Sequence, residues 1–256
     1  MTAKFEDRLE RAERGGPAEI RQLVHDPALE VLEALLRNPF LSEEHLLTLL
    51  HRKDIPRELL EGVARNEQWG QSQRVRVVLV EHPRTPRLLA LRLLKFLYLF
   101  DLVTVSLQPA VPAEIKRLAE DQIINRMEQL ALGQQVTLAR RGTARVVAAL
   151  LLEGRGPVIV PGLDNPLLTE GALLGILRRD DLADELVEKI AQHPKWSVRY
   201  DVRLQLVRHP LTPLGVALGF LRDLKAGDLK LIARDKRMRQ EMREHVRAEV
   251  RRRLGK

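Results

Sequence analysis

Leu46, Leu47 and Leu50, then Leu88, Leu91 and Leu94, then Val198, Val202 and Leu206 place apolar residues at three- and four-residue spacings with polar residues between them. That period belongs to helices with one buried face, and no segment sustains the period-two alternation of a half-buried strand. The runs are short, and each ends at a polar residue followed by proline: Asn38-Pro39 before Ser42, His82-Pro83 before Thr85-Pro86, Gln108-Pro109 before Pro112. Proline disfavours helical geometry in the residue before it, a Ser or Thr oxygen accepts free N–H groups at a helix start, and proline in the first turn loses no bond. Thr85-Pro86 and Thr212-Pro213 read as helix starts on this basis. Short amphipathic helices in series bury their apolar faces only by stacking on neighbours, so the expected fold class is all-α, an α-solenoid of short helices.

The chain also repeats itself. Asn38-Pro39 recurs 127 residues later as Asn165-Pro166, and the same shift pairs Trp69 with Trp196, Arg76 with Arg203, His82 with His209 and Thr85 with Thr212. Over residues 38–102, 28 of 65 positions are identical to those 127 further on, without a gap. Two homologous halves, 1–128 and 129–256, are expected to form one continuous structural unit. One segment breaks the pattern. Gly154-Arg155-Gly156-Pro157 through Pro161-Gly162 stands where the first half has the helical Pro27 to Leu35. Its glycines and prolines predict a bend with at most one helical turn or a short extended stretch, and an anion-binding nest at Gly154 to Gly156 is the functional alternative.

Composition narrows the class. With 256 residues, 45% hydrophobic and 30% charged, the chain has the make-up of a globular protein with a sizeable core. Arg92, Lys95 and Asp101 interrupt the most apolar stretch, Leu88 to Leu107, below the length of a membrane span. No apolar signal-like core follows the N-terminal Met-Thr-Ala-Lys, so the expected address is cytoplasmic. The absence of cysteine removes disulfides, thiolate metal sites and a cysteine nucleophile.

The Asn/His-Pro turns followed by Thr-Pro, together with the Val75-Arg76, Val198-Arg199 and Val202-Arg203 pairs, resemble bacterial HEAT-like α-solenoids of the leucine-rich-repeat-variant kind. The resemblance implies a right-handed superhelix used as a curved binding scaffold. Unit spacing departs from the regular short period of that family, and its cluster-bearing extension would need cysteines that are absent here. A subset of HEAT-like proteins are DNA glycosylases for alkylated purines that use Trp, Asp and Arg on the concave face. Trp196, Asp201 and Arg203 have these residue types, without that family's motif around them.

Few residues suggest chemistry of their own. His193 replaces Asn66, and His82 and His209 occupy the pre-proline turn that Asn38 and Asn165 occupy, so these histidines read as caps for frayed carbonyls. No metal-ligand spacing, Ser/His/Asp order or phosphate loop appears, and neither a catalytic residue, a metal, a cofactor nor a small-molecule substrate is expected. The two tryptophans share one repeat position, which favours a core wedge over a base-stacking or partner-binding ring. Tyr200 and Asp201 stand where the first half has Gln73 and Arg74, and such half-specific residues are the better binding candidates.

Charge supplies the strongest functional signal. Lys and Arg exceed Asp and Glu by 8, and residues 234–256 alone carry ten basic and four acidic side chains. The matching segment of the first half, residues 107–129, holds three basic against four acidic. Met238, Met242, Val246, Val250 and Leu254 form a stripe beside Arg239, Arg243, Arg247 and Arg251, predicting a basic amphipathic helix over about 235–254. Such a helix either caps the last repeat or contacts an acidic protein, nucleic acid or an anionic membrane surface. A non-catalytic scaffold with an acidic protein partner is the expected function, and a nucleic-acid-binding protein is its alternative. Membrane attachment would require Met238, Met242 and Val246 to be exposed.

Overall fold

A computed structural model of the chain describes residues 2–235 and 238–254, and all regular structure among them is helical. The chain divides into two compact units, Met1–Asn125 and Arg126–Lys256.

In the first unit the helices are α1 (Thr2–Arg14), α2 (Pro17–Leu23), α3 (Leu29–Leu35), α4 (Glu43–Leu50), α5 (Arg57–Arg65), α6 (Gln73–Glu81), α7 (Arg87–Leu94) and α8 (Leu99–Leu107). α9 (Ala113–Arg126) follows, and its last residue falls past the unit boundary. Helices pack on their second neighbours: α1 on α3 and α3 on α5 in one row, α4 on α6 and α6 on α8 in the other. Contacts of α5 with α6 and of α6 with α7 join the rows, and the core between them holds fully buried Leu46, Leu59, Leu60 and Leu79.

The second unit opens with a 3-10 turn, Met127–Gln129, followed by α10 (Leu132–Arg141), α11 (Ala144–Leu152), α12 (Gly156–Leu163) and α13 (Glu170–Leu177). α14 (Asp184–Gln192), α15 (Tyr200–Arg208), α16 (Leu214–Leu221), α17 (Ala226–Ile232) and α18 (Gln240–Leu254) complete it. The second-neighbour rule recurs, with α10 on α12 and α12 on α14, and α11 on α13 and α13 on α15. The bounds of α4, α5, α6 and α7 coincide with those of α13, α14, α15 and α16 after a shift of 127 residues.

The polar turns are the staples of this packing. Asn38 accepts the Phe40 N–H at 2.7 Å through Oδ1 and donates through Nδ2 to the carbonyls of Ala12 (2.9 Å) and Gly15 (3.0 Å), closing the C-terminal end of α1. Asn165 does the same with Leu167, Ala139 and Gly142 at the end of α10. An amide carries donor and acceptor in one short side chain, so a single residue satisfies its own turn and an orphan helix end nearby.

Several sequence expectations need correction. The Gly154 to Gly162 segment holds the eight-residue helix α12, and the bend is confined to Gly154, whose φ of 66° is the left-handed conformation glycine tolerates. Pro157 lies in the first turn, where it loses no bond, so only Pro161 is an interior breaker. Burial of Val158, Ile159 and Leu163 outweighs that loss, and bare Gly162 lets the Leu151 side chain of α11 close in. The Glu185 carboxylate lies against Gly156 at the start of α12, on the side a Cβ would occupy. Thr85 is not a cap: Pro86 and Pro213 occupy the N-cap positions of α7 and α16, and the Thr85 hydroxyl donates back to the Leu79 carbonyl. Leu88 and Val198, read as core positions, are 69% and 60% exposed; α7 buries Ala90, Leu93 and Leu94 instead, and Val198 precedes α15.

Candidate functional site

The basic C-terminal helix forms over Gln240–Leu254 rather than from about 235, which leaves Met238 and Arg239 before its first turn, and much of the segment's charge is committed to the fold. Met238, Met242 and Val246 are buried against Leu221, Leu224, Leu229 and Ile232, leaving none of these three for insertion into a lipid surface. Arg239 donates to the Thr212 carbonyl and Arg243 to the Met238 carbonyl at 2.8 Å. Arg253, outside the predicted row, closes the end of α16 by donating to the carbonyls of Leu221, Arg222 and Leu224. Arg252 and Arg253 both bond Glu249, whose carboxyl their hydrogen bonds hold down at about 2. Arg247 and Arg251 keep exposed heads. Lys236, Arg237 and Lys256, counted in the basic segment, lie outside the described residues, as does the Leu254 side chain.

Tyr200 and Asp201 part company. The Tyr200 hydroxyl donates to Asp228 and accepts the Lys225 N–H at 3.0 Å, while the Lys225 ammonium lies 5.0 Å from the ring centre. Tyr200 therefore caps the start of α17, and burial together with the Asp228 bond pushes its hydroxyl pKa up. Asp201, one residue on, is exposed in the first turn of α15.

Trp196 is 2% exposed and donates its indole N–H to the Leu163 carbonyl at 2.8 Å; Trp69 is likewise buried. A ring so placed has no open face for a base or a partner. Arg203 spans the Ser197 carbonyl and Asp223 (2.6 Å) and lies over the Phe220 ring; Arg76 spans the Gly70 carbonyl and Gln71 and lies over Phe96. Both arginines thus hold the loop after the tryptophan.

The histidines sit in turns. His82 and His209 accept the N–H two residues on through Nδ1, which leaves Nε2 to donate to the carbonyls of Arg52 (2.7 Å) and Arg179 (2.9 Å). His193 accepts the Lys195 N–H and faces Asp164 at 3.1 Å, and Asn66 in the matching position accepts the N–H groups of Gln68 and Trp69. Thr212 is buried, and its hydroxyl has no partner among the described residues. No group of three or more potential metal-ligating side chains occurs among the described residues.

Sequence reasoning missed a groove in the first unit. α5 and α7, with the loops before α6 and α7, enclose about 880 Å³. Six arginines line it, Arg57, Arg65, Arg76, Arg84, Arg87 and Arg92, against one acid, Glu61. Its apolar lining is Ala64, Leu89 and Leu93 beside Leu88 and Phe96, the last two 69% and 58% exposed. Arg65 pairs with Glu61, Arg87 with Glu114, and Arg84 donates to the Asp54 carbonyl at 2.9 Å. Arg57 and Arg92 are exposed and form no ion pair among the described residues. The available signal was a mismatch between halves: Arg57, Arg65, Arg84, Arg87 and Arg92 stand where the second half has Asp184, Gln192, Leu211, Leu214 and Gly219.

Such a surface offers planar donors for carboxylates or phosphates beside a patch for an apolar side chain. Comparison of the chain with family models, curated proteins and solved structures finds no match.

Proposed function

We propose that the chain is an internally duplicated α-solenoid acting as a non-catalytic scaffold, which binds an acidic surface of a partner protein in the cytoplasm. The second-neighbour packing of helices in both units, with matching bounds 127 residues apart, supports the duplicated repeat reading. The observation that carries the functional reading is the arginine-lined groove with exposed apolar Leu88 and Phe96 in its lining, a surface suited to recognition. Arg247 and Arg251 on α18 remain as a secondary basic contact. Burial of Trp196 and capping of α17 by Tyr200 weigh against a glycosylase, which needs an accessible aromatic ring beside its carboxylate.

The test is fluorescence anisotropy with a labelled Glu- and Leu-containing peptide, duplex DNA and single-stranded RNA, and co-sedimentation with anionic vesicles, each at low and physiological salt. The scaffold reading expects salt-sensitive binding of the peptide in preference to the other three. Preferential binding of duplex DNA with release of alkylated purine would replace it with the nucleic-acid reading.

A further inference from the structure

Resting on the scaffold reading, we propose that the groove between α5 and α7 is where the partner docks, and that it takes an acidic peptide segment bearing at least one large apolar side chain. Carboxylates of the segment would pair with the forked donors of Arg57 and Arg92, and its apolar side chain would cover Leu88 and Phe96.

The second half of the chain serves as an internal control. It keeps the frame of this region: Ala64 corresponds to Ala191, Pro83 to Pro210, Pro86 to Pro213 and Arg76 to Arg203. A fold needing arginines here for stability would keep them in both copies. Instead five of the six have no arginine counterpart in the second copy, and Asp184 carries the opposite charge at the position of Arg57. The exposed apolar pair is equally specific to the first copy, since Leu88 and Phe96 correspond to Gly215 and Asp223. There Asp223 takes an ion pair from Arg203, whereas in the first unit Arg76 stacks on the exposed Phe96 ring. Charge and apolar exposure thus differ together on one frame, as a composite ligand would require.

The partner's class follows from how local the positive charge is. Residues 1–125 contain 18 Lys and Arg and 19 Asp and Glu, so the unit that carries the groove has a net charge of −1. A nucleic acid is bound through a broad positive field that neutralises many phosphates. A cluster set in a near-neutral body instead matches a short acidic stretch, and arginine forks fit carboxylates two bonds at a time. The volume, about 880 Å³, lies within the range of roughly 300–1,000 Å³ found for ligand sites.

The experiment is an anisotropy titration of the full chain with fluorescein-labelled peptides that place Asp and Glu around a Leu-Phe pair. It is repeated with Arg57→Glu/Arg92→Glu, with Leu88→Ser, and with Arg247→Glu/Arg251→Glu on α18. Circular dichroism establishes that each variant retains its helix content. We expect the groove charge reversal to weaken binding by about tenfold or more, Leu88→Ser to weaken it at high salt as well as low, and the α18 change to cost far less. Binding that survives the groove variants and vanishes with the α18 variant would overturn the groove assignment and leave the scaffold reading standing. No binding of any acidic peptide, with binding of nucleic acid instead, would overturn both.

Discussion

The indole N–H of Trp196 reaches the Leu163 carbonyl at 2.8 Å, joining the loop before α15 to the end of α12 across 33 residues of chain. The ring therefore fills the core and satisfies an orphan helix-end carbonyl together. Trp196→Ala should destabilise the protein by about 3–5 kcal/mol, while Trp196→Phe, which keeps most of the volume but loses the bond, should cost about 1–3 kcal/mol. Chemical denaturation of the two variants checks the order.

Asn165, 1% exposed, makes three bonds that no hydrophobic residue replaces. Asn165→Ala strands two carbonyls and an N–H and should cost about 2–4 kcal/mol. Asn165→Asp should be no better at neutral pH, because a carboxylate would face the carbonyls of Ala139 and Gly142 without a donor. Thermal melts of both variants test this, and full rescue by Asp would mean that the Leu167 N–H bond alone matters.

The Glu249 clamp on α18 should respond to acid. Its carboxyl, held at about 2 by Arg252 and Arg253, lies below the ordinary 4.5, so the clamp contributes above 4.5 and is lost as pH falls toward 2. The protection factors of the α18 amides, taken against the intrinsic exchange rate at each pH, should fall as pH drops across that window in the parent chain. Glu249→Gln should show lower protection at neutral pH and lose most of that pH dependence.

Arg247→Glu with Arg251→Glu should leave folding almost unchanged, within about 0.5 kcal/mol, because both heads are exposed. Arg253→Ala should destabilise by more, since Arg253 satisfies three carbonyls at the end of α16. Equal melting temperatures for the two variants would contradict this division between exposed and structural arginines.

Local chemistry made much of this legible from the sequence. An Asn or His before proline must satisfy its own turn, and Asn38, His82, Asn165 and His209 do so while also bonding to an earlier part of the chain. The Met242 and Val246 stripe was equally plain, because a helix of that length displays its faces directly, and Met238, just before the helix, joins the same core. What resisted reading depended on neighbours distant in sequence. α12 survives Pro161 through packing on α10, α11 and α14, which no propensity records. Leu88 has the spacing of a core residue but lies over a groove whose other wall, α5, is some thirty residues earlier. Arg57 and Arg65 of that groove are interspersed with Glu58 and Glu61, while Arg84, Arg87 and Arg92 follow some thirty residues later, so their convergence appears only once α5 and α7 are side by side.

Hydrogen–deuterium exchange of the full chain, with and without a saturating acidic peptide carrying a Leu-Phe pair, tests the central claim most directly. The account predicts new protection confined to residues 57–65 and 83–96, with the corresponding 184–192 and 210–223 unchanged. Protection concentrated in residues 240–254, or equal in both halves, would contradict it.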